Sequence, residues 1–137
     1  MYHLRMFLVS FLFLGSLAHA QAAPEKFDSF YSHFAQAVAQ KDTATLQQLM
    51  SKHFDFLTTA NVPAETVFTT LDSNSGQLWQ NLQTATHQAT PVLDEYADQP
   101  AQLLWCTPTE TIYNCYVVFQ KNKSGHWRWR GFVMPQK

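Results

Sequence analysis

Arginine and tryptophan alternate over Trp127-Arg128-Trp129-Arg130, near the end of the 137-residue chain. Guanidinium groups bind carboxylates through paired hydrogen bonds and attract the faces of aromatic rings. This segment could therefore hold a carboxylate, a glycan or an aromatic ligand. The competing interpretation is a strand that buries its tryptophans and leaves its arginines in water. We take Trp127, Arg128, Trp129 and Arg130 as candidate ligand-binding residues.

The two cysteines, Cys106 and Cys115, are too far apart for a C-x-x-C redox motif. If they oppose each other on antiparallel strands, Trp105 falls opposite Tyr116 and the neighbouring pairs are apolar on both faces of the sheet. Directly opposed residues have Cα atoms about 4.5–5.5 Å apart, which a disulfide can bridge. We therefore predict a Cys106–Cys115 disulfide, with two buried free thiols as the alternative.

Other patterns that carry chemistry are missing from the sequence. The histidines after the leader are His33, His53, His87 and His126, and they form no metal-binding pair or H-E-x-x-H motif. A G-x-S-x-G elbow and a phosphate-binding glycine loop are also missing. The acidic residues around Tyr96 are typical of a solvated loop. We predict no metal and no cofactor, and we assign no catalytic residue.

Residues 1–20 are typical of a secretory signal peptide. Arg5 precedes a short apolar run, and Ala18-His19-Ala20 supplies the small residues of a cleavage site. We predict cleavage after Ala20, one domain over residues 21–137, and a periplasmic or secreted protein without stable membrane insertion. The formal net charge of −1 argues against nucleic acid as a partner.

The chain reads as helices followed by strands. Apolar residues recur at helical spacing near residues 25–40, from 43 to about 53, over 64–71 and near 76–88. Runs rich in aromatic and β-branched residues predict strands at 102–107, 111–121 and 126–134. Turns are expected at Pro108 and over 122–125, and a β-bulge at Arg130-Gly131 keeps Phe132 on the tryptophan side. Residues 54–57 fit a helix end or a short strand, and 90–100 fit a loop with a possible strand over 92–96.

This order predicts an α+β fold, in which N-terminal helices pack on a C-terminal antiparallel β-meander of at least three strands. Each helix has one apolar stripe and the meander has an apolar face, so the two layers should cover each other.

Two stretches resemble NTF2-like (cystatin-like) proteins. Residues 30–42, F-x-x-x-F-A-Q-A-V-A-Q-K-D, run into L-x-x-L-M at 46–50 and are similar to the first two helices of that superfamily. Residues 117–127, V-V-F-Q-K-x-x-x-G-x-W, are similar to a hairpin near the end of its small exported members. The resemblance implies a curved antiparallel sheet around helices, often with a pocket between them. Some members are isomerases or dehydratases, whereas many others bind or dimerise.

These observations favour a non-enzymatic exported binding module that recognises a protein or a small amphipathic ligand. One alternative is an NTF2-like isomerase or hydratase with a buried His or Asp as its base. Another is an immunity or inhibitor protein that blocks a partner with one exposed face. The enzyme hypothesis requires a closed apolar pocket with an ionisable residue at its floor.

Overall fold

The computed structural model describes residues 25–106 and 115–134. The predicted signal peptide lies outside the described residues, as does the turn expected at Pro108. The elements follow in the order α1 (Phe27–Ala39), α2 (Thr43–Leu49), β1 (Met50–Leu57), α3 (Ala64–Asp72), a short 3₁₀ turn (Asn74–Gly76), α4 (Gln77–Gln88), β2 (Val92–Leu93), β3 (Ala101–Trp105), β4 (Tyr116–Lys121) and β5 (Trp127–Val133).

Helix α2 begins and ends for identifiable reasons. The side chain of Asp42 caps it, accepting a hydrogen bond from the backbone N–H of Thr45 at 3.1 Å. The sequence predicted that the helix would continue through Met50 to His53, and this was wrong. The chain becomes extended at Met50 because β1 pairs with β5, and that distant partner overrides the local helical spacing.

The five strands form one sheet in the order β1-β5-β4-β3-β2. All neighbours are antiparallel except β1 and β5, which are parallel. The predicted α+β fold, with N-terminal helices on a C-terminal antiparallel meander, is confirmed. Strands β1 and the two-residue β2 lie at the two edges of the meander, and residues 54–57 and 92–93 adopt the strand that the sequence left open as one possibility.

The predicted register of β3 and β4 is confirmed. Leu104 pairs with Val117, and Trp105 pairs with Tyr116. One step further, the backbone N–H of Cys106 donates a hydrogen bond to the carbonyl oxygen of Cys115 at 2.8 Å. The Cα atoms of these cysteines lie 5.1 Å apart and their side chains form the predicted disulfide.

The β-bulge in β5 is also present. Phe119 pairs with Trp129 and Val118 pairs with Gly131, so Arg130 is the extra residue. The bulge keeps Phe132 in the core, where it is fully buried. A Cβ atom at position 131 would lie 2.9 Å from the carbonyl oxygen of Asp55, so this close approach of β1 requires glycine.

Aromatic side chains fill the space between the helices and the sheet. The ring of Phe34 on α1 lies 4.9 Å from that of Phe119 and 5.2 Å from that of Trp129, centroid to centroid. Trp129 also meets Phe54 of β1 edge-on at 4.7 Å. These contacts join α1, β1, β4 and β5 into one core.

None of the helices in the described segments combines the length and the apolar character that a membrane crossing would require.

Candidate functional site

The sheet has a core face, covered by the helices, and an outer face turned away from them. Val117 and Phe119 of β4 are buried in the core, whereas the alternate residues Val118 and Gln120 are only partly buried. Successive side chains of a strand point to opposite faces, so Val118 and Gln120 lie on the outer face. Gln120 pairs with Arg128, which places that arginine on the outer face as well.

A depression of about 630 Å³ lies beside this end of the outer face. Its basic side chains are Lys52, Lys121, Lys123, Arg128 and Arg130, with His53 among the other lining residues. Within the described segments only two further lysines or arginines occur, Lys26 and Lys41. No aspartate or glutamate lines the depression. We call it the basic groove.

Two segments that are distant in sequence build the basic groove. Lys52 and His53 come from the first half of β1, and the other basic residues come from the β4–β5 hairpin. The hairpin turn is closed by Asn122, whose backbone N–H donates to the carbonyl oxygen of His126 at 2.8 Å. Gly125 has a φ of 82°, as the predicted turn requires. The parallel pairing of β1 with β5 brings the two segments together.

Arg128 is positioned by its own strand and by the start of the described chain. Its Nη1 donates to the carbonyl oxygen of Trp127 at 2.7 Å and lies 3.9 Å from Oε2 of Glu25. The same Glu25 oxygen accepts from the backbone N–H of Trp127 at 3.2 Å. A guanidinium group has five N–H donors, so the Arg128 head keeps donors for a ligand in the groove.

Arg130 belongs to a closed ring of polar contacts with β1 and the loop after it. Its Nη1 donates to the carbonyl oxygen of His53 at 2.6 Å and lies 3.3 Å from Oδ2 of Asp55. The other carboxylate oxygen of Asp55 accepts from the backbone N–H of Asn61 at 3.4 Å. Asn61 completes the ring, with its Oδ1 3.1 Å from Nδ1 of His53. The ring fixes both Arg130 and the His53 imidazole at the edge of the basic groove.

The structure divides the four residues of the predicted site into two pairs. Arg128 and Arg130 line the basic groove, with 29% and 27% of their side chains exposed. Trp127 and Trp129 are buried, and Trp127 packs edge-on against Phe27 at 4.9 Å. The strand therefore adopts the competing arrangement, with tryptophans in the core and arginines outward. A ligand in the groove meets the two arginines but not these indole rings.

Sequence reasoning missed the three lysines of the groove. Lys121 ends β4 and Lys123 lies in the turn before Trp127, so their charge near the arginines was a signal that could have been used. Lys52 gave no such signal, because the sequence alone placed it on a helix and it reaches the groove only through the β1–β5 pairing.

The histidines do not converge. His33 lies on α1 and His87 on α4, both exposed, and His126 follows the β4–β5 turn. His53 lies on β1 and not on a helix as predicted. Across residues 25–106 and 115–134, no three side chains of His, Cys, Asp or Glu group closely enough to hold a metal ion.

The interior offers no ionisable group among the described residues, because every buried side chain there is apolar. The buried His or Asp base that the enzyme hypothesis requires is therefore not found in the part of the core that the structure describes. The charged groups that could act on a ligand lie at the surface, in the basic groove.

No family model matches the chain, and no curated protein matches it. Among solved structures, the chain is similar to a provisionally named ketosteroid isomerase from Shewanella frigidimarina NCIMB 400. The two are 12% identical with a TM-score of 0.44, over 78% of this chain and 92% of that one.

Proposed function

We propose that this chain is an exported, non-enzymatic binding module, and that the basic groove holds an anionic group of its ligand. In this proposal residues 1–20 direct export to the periplasm or the cell exterior and are removed. The ligand carries a carboxylate or a phosphate, which Arg128 and Arg130 bind through charged hydrogen bonds.

One observation carries the proposal: five of the seven lysines and arginines in the described segments line a single depression that has no acidic lining residue. A chain with a formal net charge of −1 gains nothing in solubility from gathering its cations in one place. Like charges at one site repel each other, and a bound anion relieves that repulsion.

The two arginines differ from the lysines in how tightly they are held. Arg128 and Arg130 are both fixed by hydrogen bonds to backbone carbonyl oxygens. A fixed guanidinium loses less conformational entropy when it binds an anion than a mobile lysine does. We therefore place the anion at the arginines, with Lys52, Lys121 and Lys123 adding to the attractive field.

The test uses citrate as a compact probe with several carboxylates. We expect citrate to bind the chain that begins at residue 21, with calorimetry giving the affinity and amide NMR shifts locating it at residues 50–53 and 120–130. Arg128→Gln removes one charge at a partly exposed site, so affinity should fall by about five-fold. Binding should also weaken as sodium chloride is added, because salt screens exposed charges.

Lys41→Gln is the matched control, since Lys41 is exposed and lies outside the groove. It should change citrate affinity by less than about two-fold. The proposal is wrong if citrate causes no shifts in residues 50–53 and 120–130, or if Arg128→Gln and Lys41→Gln have equal effects.

A further inference from the structure

The outer face of the sheet changes in character away from the basic groove. Paired residues lie side by side on one face, so the register defines three rows across the strands. The first row borders the groove and contains Ala101, Gln120 and Arg128. The second contains Val92, Leu103, Val118, Gly131 and Asp55. The third contains Trp105, Tyr116, Val133 and Leu57.

Apart from Asp55, whose carboxylate pairs with Arg130, the second and third rows form an apolar surface that solvent reaches. Val92 and Trp105 are each 48% exposed, and Leu103, Tyr116 and Val118 are half-buried. The rings of Trp105 and Tyr116 lie 5.2 Å apart, centroid to centroid. Large apolar side chains that stay exposed together on one sheet face are typical of a binding surface.

A second depression, of about 360 Å³, lies at the far end of this surface. Its apolar lining comes from Leu57, Ala60, Tyr116, Val133 and Met134, and its polar lining includes Thr58 and Thr59. Asp55 also lines it, but the carboxylate of Asp55 is 3.3 Å from Nη1 of Arg130. The outer face thus runs from a cationic depression to one whose lining is mostly apolar. Along β4, from Gln120 to Tyr116, that distance is about 14 Å at the usual rise per residue.

We infer that the ligand of the basic groove is an amphipathic anion with a single apolar chain. The inference rests on the proposed function and adds the chemical class of the ligand. The carboxylate or phosphate head binds at Arg128 and Arg130. The apolar chain lies along Val118 toward Tyr116 and Trp105, which removes its surface and theirs from water.

Charge favours this occupant over a second copy of the chain. Among the described residues of the strands, Asp55 is the only acidic side chain on the outer face, and Arg130 already pairs with it. A second copy stacked on this face would therefore bring no free anion from its strands to the basic groove. An amphipathic anion supplies both the negative charge and the apolar surface.

Trp105 gives a direct readout of the apolar chain. The other three tryptophans, Trp79, Trp127 and Trp129, are at most 7% exposed. Burial of Trp105 under an alkyl chain should shift the tryptophan emission to shorter wavelength, whereas an anion in the basic groove alone should not. Dodecanoate below its micelle concentration is the probe. Acetate tests the head alone, and dodecyltrimethylammonium tests the chain with a cationic head.

We expect dodecanoate to bind and to shift the tryptophan emission to shorter wavelength. Acetate and dodecyltrimethylammonium should not cause this shift at equal concentration. Affinity should rise by about two-fold for each methylene added between octanoate and dodecanoate, since a chain on an open face is buried on one side only. Val118→Thr replaces one methyl group by a hydroxyl of nearly the same shape, so it should weaken dodecanoate binding several-fold and leave citrate binding unchanged. Leu103→Thr is a second variant, which shortens the side chain and also adds a hydroxyl.

Leu93→Thr is the matched control, because Leu93 is 64% exposed but pairs with Gln102 on the other face of the sheet. It should leave dodecanoate binding unchanged. If citrate binds but dodecanoate binds no better than acetate, the inference fails and the proposed function stands. If neither citrate nor dodecanoate binds, both fail.

Two other results would overturn the inference. The first is binding to vesicles of anionic phospholipid without binding of monomeric dodecanoate, which would make this face a membrane-contact surface. The second is a dimer, seen by sedimentation without ligand, that Val118→Lys dissociates; this would show that a second copy covers the apolar rows.

Discussion

Arg130 Nη1 donates a hydrogen bond to the carbonyl oxygen of His53 at 2.6 Å. Arg130 is the bulged residue of β5, and His53 lies on the neighbouring strand β1. The contact therefore crosses the one parallel strand pair of the sheet. The same guanidinium lines the basic groove, so a residue proposed to bind ligand also holds two strands together.

Arg130→Gln should reduce both stability and anion binding. The pair with Asp55 is partly exposed and the backbone hydrogen bond is single, so we expect the free energy of unfolding to fall by about 1 kcal/mol. Urea denaturation measures this loss. Lys52→Gln is the control, because among the described residues Lys52 makes no ion pair, and it should change stability by less than about 0.5 kcal/mol. Equal losses in the two variants would contradict a role for Arg130 in joining β1 to β5.

The cap of α2 should make stability depend on pH. The Thr45 hydroxyl, which donates to Asp42 at 2.7 Å, is the main cause that lowers the pKa of Asp42 below its ordinary 3.8, followed by the Thr45 backbone N–H. Because the folded pKa is lowered, the stabilisation is complete above the ordinary value and is lost as pH falls through the lowered value. We therefore expect the urea midpoint of the wild type to decrease as the pH is lowered through the lowered pKa of Asp42.

Asp42→Asn separates this titration from the cap itself, since asparagine caps helices but carries no charge. The difference in urea midpoint between wild type and Asp42→Asn should shrink as pH falls below 3.8. Thr45→Val removes the hydroxyl donor and keeps the backbone N–H, so it should retain only part of the pH dependence. If the difference in urea midpoint between the wild type and Asp42→Asn stays constant with pH, Asp42 is not the titrating group.

The disulfide should contribute a modest share of the stability. Cys106 and Cys115 are nine positions apart, and in the chain-entropy model a loop of this size gives about 2–3 kcal/mol. Reduction with dithiothreitol should lower the free energy of unfolding by that amount. The double variant Cys106→Ala, Cys115→Ala should lose a similar amount and should no longer respond to reductant. A continued response in the double variant would mean that reductant acts elsewhere.

The features that could be predicted from the sequence are those determined by residues close to one another along the chain. The β3–β4 register followed from cross-strand pairs such as Trp105 with Tyr116, and the bulge followed from the phase change at Gly131. The extent of β1 could not be obtained in this way. Leu46, Leu49, Met50 and His53 keep a helical spacing, and only the pairing with β5 makes the second half of that run extended.

The same distinction between local and distant contacts applies to the candidate site. Arg128 and Arg130 were found because their alternation with tryptophan lies within one strand. Lys52 was missed because its place in the basic groove depends on a contact between the middle and the end of the chain. The placement of the tryptophans depended on which face of β5 the helices cover, and that is decided by α1, through Phe34 against Trp129.

The position of β5 between β1 and β4 has a consequence for the order of assembly. Strand β1 is made early, yet its only partner among the described strands is the last one. Until residues 127–133 are available, β1 has no described strand to pair with. Folding of the domain is therefore completed late and in one cooperative step. A chain truncated before residue 127 should stay unfolded and be open to proteolysis.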